Sequence, residues 1–156
     1  MEKSVPDRIE KQIVLNAPRS RVWQALTDVQ QLSEWFQVQM SGEVVPGARL
    51  TGPVTYPGYE HATVEATIER VEPERRIAWR WCPAAIEKGV DYANEPTTLV
   101  TFELEDVDGG TKLTVVESGF HQVPVVRRAK AFESNDGGWT GVLQSIEKTM
   151  HAVASR

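Results

Sequence analysis

Glu117 is the ionisable residue whose setting in the sequence most demands a chemical account. It follows Leu113 and Val115 at strand spacing, so all three side chains share one face. A carboxyl group in an apolar row is costly unless it is hydrogen-bonded. Two readings are open. Glu117 orients a polar group of a ligand or works as an acid/base there, or it pairs with an Arg, Tyr or Trp side chain purely for structure, or is turned outward by a bulge.

Other chemistry finds little support in the spacing. His61, His121 and His151 are far apart and none is paired at i+3 or i+4, so no zinc site and no other metal is expected. Cys82 is the single cysteine, which excludes an internal disulfide and any multi-cysteine metal site. No histidine is placed beside it by a motif and no Gly-Xaa-Ser-Xaa-Gly elbow exists, so Cys82 reads as a packed or partly exposed thiol. Gly110-Thr111-Lys112 resembles the end of a phosphate-binding loop, but the preceding Asp108-Gly109 makes it a hairpin turn. No catalytic constellation and no cofactor are therefore expected. Trp79, Trp81, Phe102 and Trp139 offer an aromatic wall for a planar or acyl ligand, and equally the packing of an ordinary core.

These residues need elements to position them. Ile9, Ile13 and Leu15 alternate along a first strand, which Ala17-Pro18 ends while opening a helix. Val22, Ala25, Leu26 and Val29 follow helical spacing, and Leu32, Trp35 and Phe36 carry the apolar face through a second short helix. Pro46-Gly47, Pro57-Gly58, Pro73-Glu74 and Asp108-Gly109-Gly110 then punctuate runs rich in Val, Thr, Ile and aromatic residues, the pattern of an antiparallel meander of five or six strands. Ala62, Val64, Ala66 and Ile68 face one way along its clearest strand. The segment from Ala84 to Glu95 is long for a strand connection, and is either a lid or a surface excursion. Trp139, Val142, Leu143, Ile146, Met150 and Val153 form one helical stripe. That helix extends back to about Val125, past Gly137-Gly138 where a kink is allowed, and reaches about 45 Å at 1.5 Å per residue.

The chain has 156 residues, 40% hydrophobic and 25% charged, which suits one soluble domain, placed at 8–154. A net charge of −5 speaks against a nucleic-acid partner. The basic cluster Arg127-Arg128 with Lys130 reads as the solvated face of a helix. Met1 to Arg8 lacks the apolar core of a signal peptide and no later stretch suits a membrane span, so a cytoplasmic protein without stable membrane insertion is expected.

Several local motifs together carry a family resemblance. They are Asn16-Ala17-Pro18 with Val22-Trp23 and Ala25-Leu26-Thr27-Asp28, then Trp35-Phe36, Trp79-Arg80-Trp81, Asp91-Tyr92 with Glu95-Pro96-Thr97-Thr98-Leu99-Val100, and Glu117-Ser118-Gly119-Phe120 followed by Gly138-Trp139. With these the chain resembles the START-like (SRPBCC) superfamily, in the AHSA-type branch named after an activator of a heat-shock protein ATPase and related to proteins that sequester enediyne antibiotics. The resemblance implies an α+β helix-grip fold: a curved antiparallel sheet around a long C-terminal helix, with two short helices after the first strand. It also implies a hydrophobic cavity for a small apolar or aromatic molecule or a lipid. It does not fix one activity, because the superfamily includes carriers, receptors, cyclases and co-chaperone domains.

The cavity residues expected on this basis are Trp35, Phe36, Val64, Ala66, Trp79, Trp81, Phe102, Glu117, Trp139 and Leu143, with Trp35-Phe36 at the mouth by analogy. Binding without catalysis is the leading expectation. A cyclase- or hydrolase-like enzyme with Glu117 or His61 as acid/base comes second. A chaperone-binding module comes last, because the resemblance does not extend to the extra N-terminal domain that supplies much of the chaperone contact in the eukaryotic co-chaperone. A symmetric homodimer through an exposed edge strand is compatible with the sequence.

Overall fold

The computed structural model describes residues 5–90, 92 and 94–154, the side chains of 152–154 excepted. Strand β1 (Arg8–Leu15) leads into helices α1 (Arg19–Leu26) and α2 (Val29–Phe36). Strands β2 (Arg49–Pro53), β3 (Thr63–Glu72), β4 (Arg76–Trp81), β5 (Thr98–Val107) and β6 (Gly110–Ser118) follow, then a short 3-10 turn and helix α3 (Val125–Ala154). The six strands form one antiparallel sheet in the order β1-β6-β5-β4-β3-β2. This is the expected α+β helix-grip arrangement.

Local chemistry explains the breaks. Pro18 occupies the N-cap of α1, where its missing N–H costs nothing. Asp28 caps α2 by accepting from the Gln30 amide at 2.9 Å, and Gln37 ends that helix in the left-handed region at φ 54°. At the β5–β6 hairpin Gly110 has φ 146°, and a Cβ there would fall 1.9 Å from the Leu15 carbonyl oxygen. Only glycine lets the hairpin pass so close to the end of β1. The register of β3 against β4 shifts between Ile68 and Arg70, a bulge that bends the sheet around the helix.

Ile9, Leu15, Leu113, Val115, Val100, Phe102, Ile77, Trp79, Ala66 and Ile68 line the inner face of the sheet, all buried. Trp139, Val142, Leu143, Ile146 and Met150 meet them from α3, each at most 8% exposed, as their helical spacing predicts. The backbone of Val153 is helical, but its side chain lies outside the described residues. Helix α3 is continuous through Gly137 and Gly138, so the glycines do not divide it. Gly137, Gly138 and Gly141 face solvent, with nothing within 4 Å of where a Cβ would stand.

The edge of β2 is covered by the chain leaving α2. Ser41 and Thr51 exchange backbone hydrogen bonds, and the Gln39 amide donates to the Pro53 carbonyl at 2.9 Å. A Cβ at Gly52 would fall 1.8 Å from the Gln39 carbonyl oxygen, so glycine is what admits this crossing. At the opposite edge of the sheet lies β1, tied to α3 by the Lys11–Asp136 ion pair at 3.3 Å. No described helix is long and apolar enough to cross a membrane.

Candidate functional site: an aromatic-walled cleft and its carboxylate anchor

Phe36 comes off the end of α2, Trp79 and Trp81 off alternate positions of β4, Phe102 off β5 and Trp139 off α3. Rings in contact within this group have centroids 5.5–6.0 Å apart. Phe36 stands edge-on to Trp79, Trp81 and Trp139, while Trp81 and Trp139 stack within 25°. Edge-to-face and offset contacts are the favourable arrangements of aromatic quadrupoles. A small void of about 10 Å³ beside the cluster is bordered by Phe36, Trp79 and Trp81 together with Leu32, Met40, Leu50 and Ala66.

Beside the cluster opens a cleft of about 910 Å³. Its apolar wall includes Phe36, Val38, Val54, Val64, Trp81 and Ile86. Glu65, Thr67, Glu69 and Arg80, which lie on the outer face of the sheet by strand parity, also border it. The cleft therefore runs around the ends of β3 and β4 and is not confined between sheet and helix.

The ten expected cavity residues divide accordingly. Phe36, Val64 and Trp81 border the cleft. Ala66 and Trp79 border the small void. Phe102, Trp139 and Leu143 are buried at 0%, 2% and 5% exposure and pack in the core beside them. The Trp35-Phe36 pair is split: the Trp35 indole donates to Thr149 Oγ1 at 3.2 Å and is buried against α3, away from the mouth where analogy put it.

Glu117 is fully buried, and its carboxylate is the polar centre of the cluster. Oε2 accepts from Trp81 Nε1 at 2.9 Å, Thr98 Oγ1 at 2.5 Å and Asn135 Nδ2 at 3.0 Å. Oε1 accepts from Trp139 Nε1 at 2.8 Å and Asn135 Nδ2 at 2.9 Å. A carboxylate offers about four acceptor directions, so these partners use its capacity. Tryptophan is one of the structural partners the sequence suggests. Thr98 and Asn135 are additions, and Asn135 could have been noticed as the polar residue one turn before Trp139 on the same helical stripe.

Described residues of the 82–97 segment between β4 and β5 border the cleft, and their ties come from both sides. On one side Arg127 of α3 donates from Nε to Glu95 Oε1 at 2.8 Å, from Nη1 to the Pro83 carbonyl at 2.9 Å and from Nη2 to Cys82 Sγ at 3.2 Å. Its guanidinium also lies 5.2 Å from the centre of the Tyr92 ring, a cation–π contact. On the other side His61 Nε2 lies 2.6 Å from the Ile86 carbonyl oxygen, which requires the ring nitrogen to donate. Asp91 lies outside the described residues.

The reading of Arg127-Arg128 as a solvated face is corrected by these contacts. Arg127 is only 19% exposed, and Arg128 donates to the carbonyls of Val123 and His121. The long segment that Arg127 helps to hold offers fixed carbonyl, thiol and carboxylate partners, which cluster charge alone does not reveal. Cys82 is partly buried; burial pushes its thiol pKa up, and the nearby Arg127 opposes that shift. No group of His, Cys, Asp and Glu able to hold a metal ion is present among the described residues.

Residues 16–151 match the family described as activator of Hsp90 ATPase homolog 1-like protein. The chain belongs to that family. Solved structures similar to this family member include protein MLL2253 from Mesorhizobium loti, at 20% identity and TM-score 0.71, covering 90% of this chain and 94% of that one. The Aha1 dimer from Colwellia psychrerythraea is similar at 20% identity and TM-score 0.70, covering 92% and 95%. DynU16, from the dynemicin biosynthetic locus, is similar at 22% identity and TM-score 0.70, covering 94% of this chain and 48% of that one. At such identities the likeness is one of fold. A comparison with curated proteins gives no match.

Proposed function

We propose that this member of the activator of Hsp90 ATPase homolog 1-like family binds a small, largely apolar molecule in the cleft beside Trp81, without transforming it. The cleft itself carries this reading: about 910 Å³ of space whose wall includes an indole and a phenyl ring, within the size range of small-molecule sites. The two acid/base candidates, Glu117 and His61, favour binding over catalysis. Glu117 has its acceptor directions occupied by four side chains, and His61 Nε2 is engaged by the Ile86 carbonyl. An acid/base needs a free site within hydrogen-bond reach of substrate. Association into a homodimer, suggested by the Colwellia relative, is compatible with this role.

Native mass spectrometry of gently purified protein, with denaturing analysis of the same sample, tests the proposal. A stoichiometric small-molecule adduct supports it and identifies the ligand class. Protein that is empty and leaves a broad panel of aromatic and acyl metabolites unbound refutes it, and shifts weight to a protein-binding role.

A further inference from the structure

Asn135 lines the cleft, and its amide cannot choose its orientation freely. Its Nδ2 donates to both oxygens of Glu117, at 2.9 and 3.0 Å, and a carboxylate can accept but not donate. Rotating the amide by half a turn would bring oxygen against oxygen. Oδ1 is therefore directed away from Glu117. The same carboxylate fixes Trp81 through its indole N–H, and Trp139 covers one side of that ring by stacking. Phe36 and Trp79 stand edge-on to the same ring, and Trp81 borders the cleft with what these neighbours leave exposed.

We infer that Glu117 is a positioning residue that fixes the Asn135 carbonyl oxygen as a hydrogen-bond acceptor in the cleft beside Trp81, so the site selects planar aromatic molecules that carry a hydroxyl or N–H donor. The inference rests on the proposed ligand-binding role and narrows its ligand class. Two features on one wall set the selection. The indole gives an apolar aromatic contact that tolerates many ring systems. The amide oxygen discriminates among them, because a ligand that covers it without donating a hydrogen bond leaves it unpaired.

The test uses the whole chain and two probes with the same ring system: 2-naphthol, which can donate, and 2-methoxynaphthalene, which cannot. Binding is measured by titration while the Trp81 indole N–H resonance reports occupancy of the cleft. Wild-type protein is expected to bind the naphthol roughly fivefold to tenfold more tightly, the worth of one net hydrogen bond. Glu117→Gln replaces one of the two acceptor oxygens by an NH2 donor, to which Asn135 can turn its own carbonyl oxygen, so the preference should fall to about one. Asn135→Leu should give the same loss while retaining affinity for both rings.

Equal binding of the two probes to wild-type protein would overturn the inference and leave the ligand-binding role standing. Binding of neither at about 1 mM, a level that would detect even weak affinity, would count against that role as well. If both variants fail to fold, the comparison of two probes on the wild-type protein still decides whether the cleft selects a donor. A fivefold preference unchanged in a folded Glu117→Gln protein would refute the positioning role.

Discussion

Trp81 and Trp139 stack with centroids 5.7 Å apart and direct their indole N–H groups onto one carboxylate, that of Glu117. One residue of β6 thereby joins the end of β4, the start of β5 through Thr98, and the middle of α3 through Asn135 and Trp139. The junction lies beside the cleft, which Trp81 and Asn135 both border. Glu117→Ala leaves four donor side chains without their acceptor in a buried space. A loss of about 3–5 kcal/mol is expected from unpaired buried polar groups, read from urea unfolding midpoints. A loss below about 1 kcal/mol would show that the network is energetically idle.

The two central tryptophans should respond differently to removal of the indole N–H. Trp139 Nε1 donates to Glu117, whereas Trp79 Nε1 is buried with no partner among the described residues. Both Trp79→Phe and Trp139→Phe lose ring volume. Trp139→Phe should cost about 1–2 kcal/mol more, because it removes a satisfied hydrogen bond to a carboxylate while the other substitution removes an orphaned donor. Equal losses would indicate that packing alone sets both values.

Cys82 reports on the cleft wall through its chemistry. Burial raises its thiol pKa, and the thiolate is the reactive form, so alkylation should continue to accelerate with pH beyond the point where an ordinary cysteine levels off. The folded state holds this proton more tightly than the unfolded chain. Its contribution to stability is therefore complete below the ordinary thiol pKa and is lost as pH rises through the folded value. Arg127→Ala removes the ties to Cys82, Pro83 and Glu95, so amide exchange in the 83–95 segment should become faster at pH 7, and loss of the cation that favours the thiolate should move the alkylation profile of Cys82 to still higher pH. Unchanged exchange in that segment would mean the His61–Ile86 contact is sufficient to hold it.

Helix α3 carries three solvent-facing glycines that its packing does not require. Gly137→Ala, Gly138→Ala and Gly141→Ala should each stabilise the protein by about 0.5–1 kcal/mol, because alanine loses less backbone freedom in a helix and meets no neighbour there. Thermal unfolding checks this. Destabilisation by any of the three would reveal a role for that glycine outside helix propensity.

The helix stripe and the alternating strands were legible because each depends on a short repeating pattern, and burial follows that pattern from Trp139 to Met150 and from Leu113 to Glu117. The strand parity of Glu117 correctly put it inside. What parity could not supply was its set of partners, which come from β4, β5 and α3 and meet only after the sheet has curved. Arg127 was misread for the same reason: its partners lie 32 to 45 residues earlier, so local charge pattern made it look free. The aromatic residues were found as a group, but composition does not distinguish a ring that fills a core, such as Phe102, from one that borders open space, such as Trp81.

The proposed role requires that a small, largely apolar molecule occupy the cleft beside Trp81. Titration of 2-naphthol followed through the tryptophan indole N–H resonances tests it most directly, because Trp35 provides an internal control: its indole is bound to Thr149 against α3 and does not border the cleft. Saturable movement of the Trp81 resonance with little change at Trp35 is the predicted result. No movement at Trp81, or equal drift of both resonances without saturation, would contradict the assignment of the cleft as a ligand site.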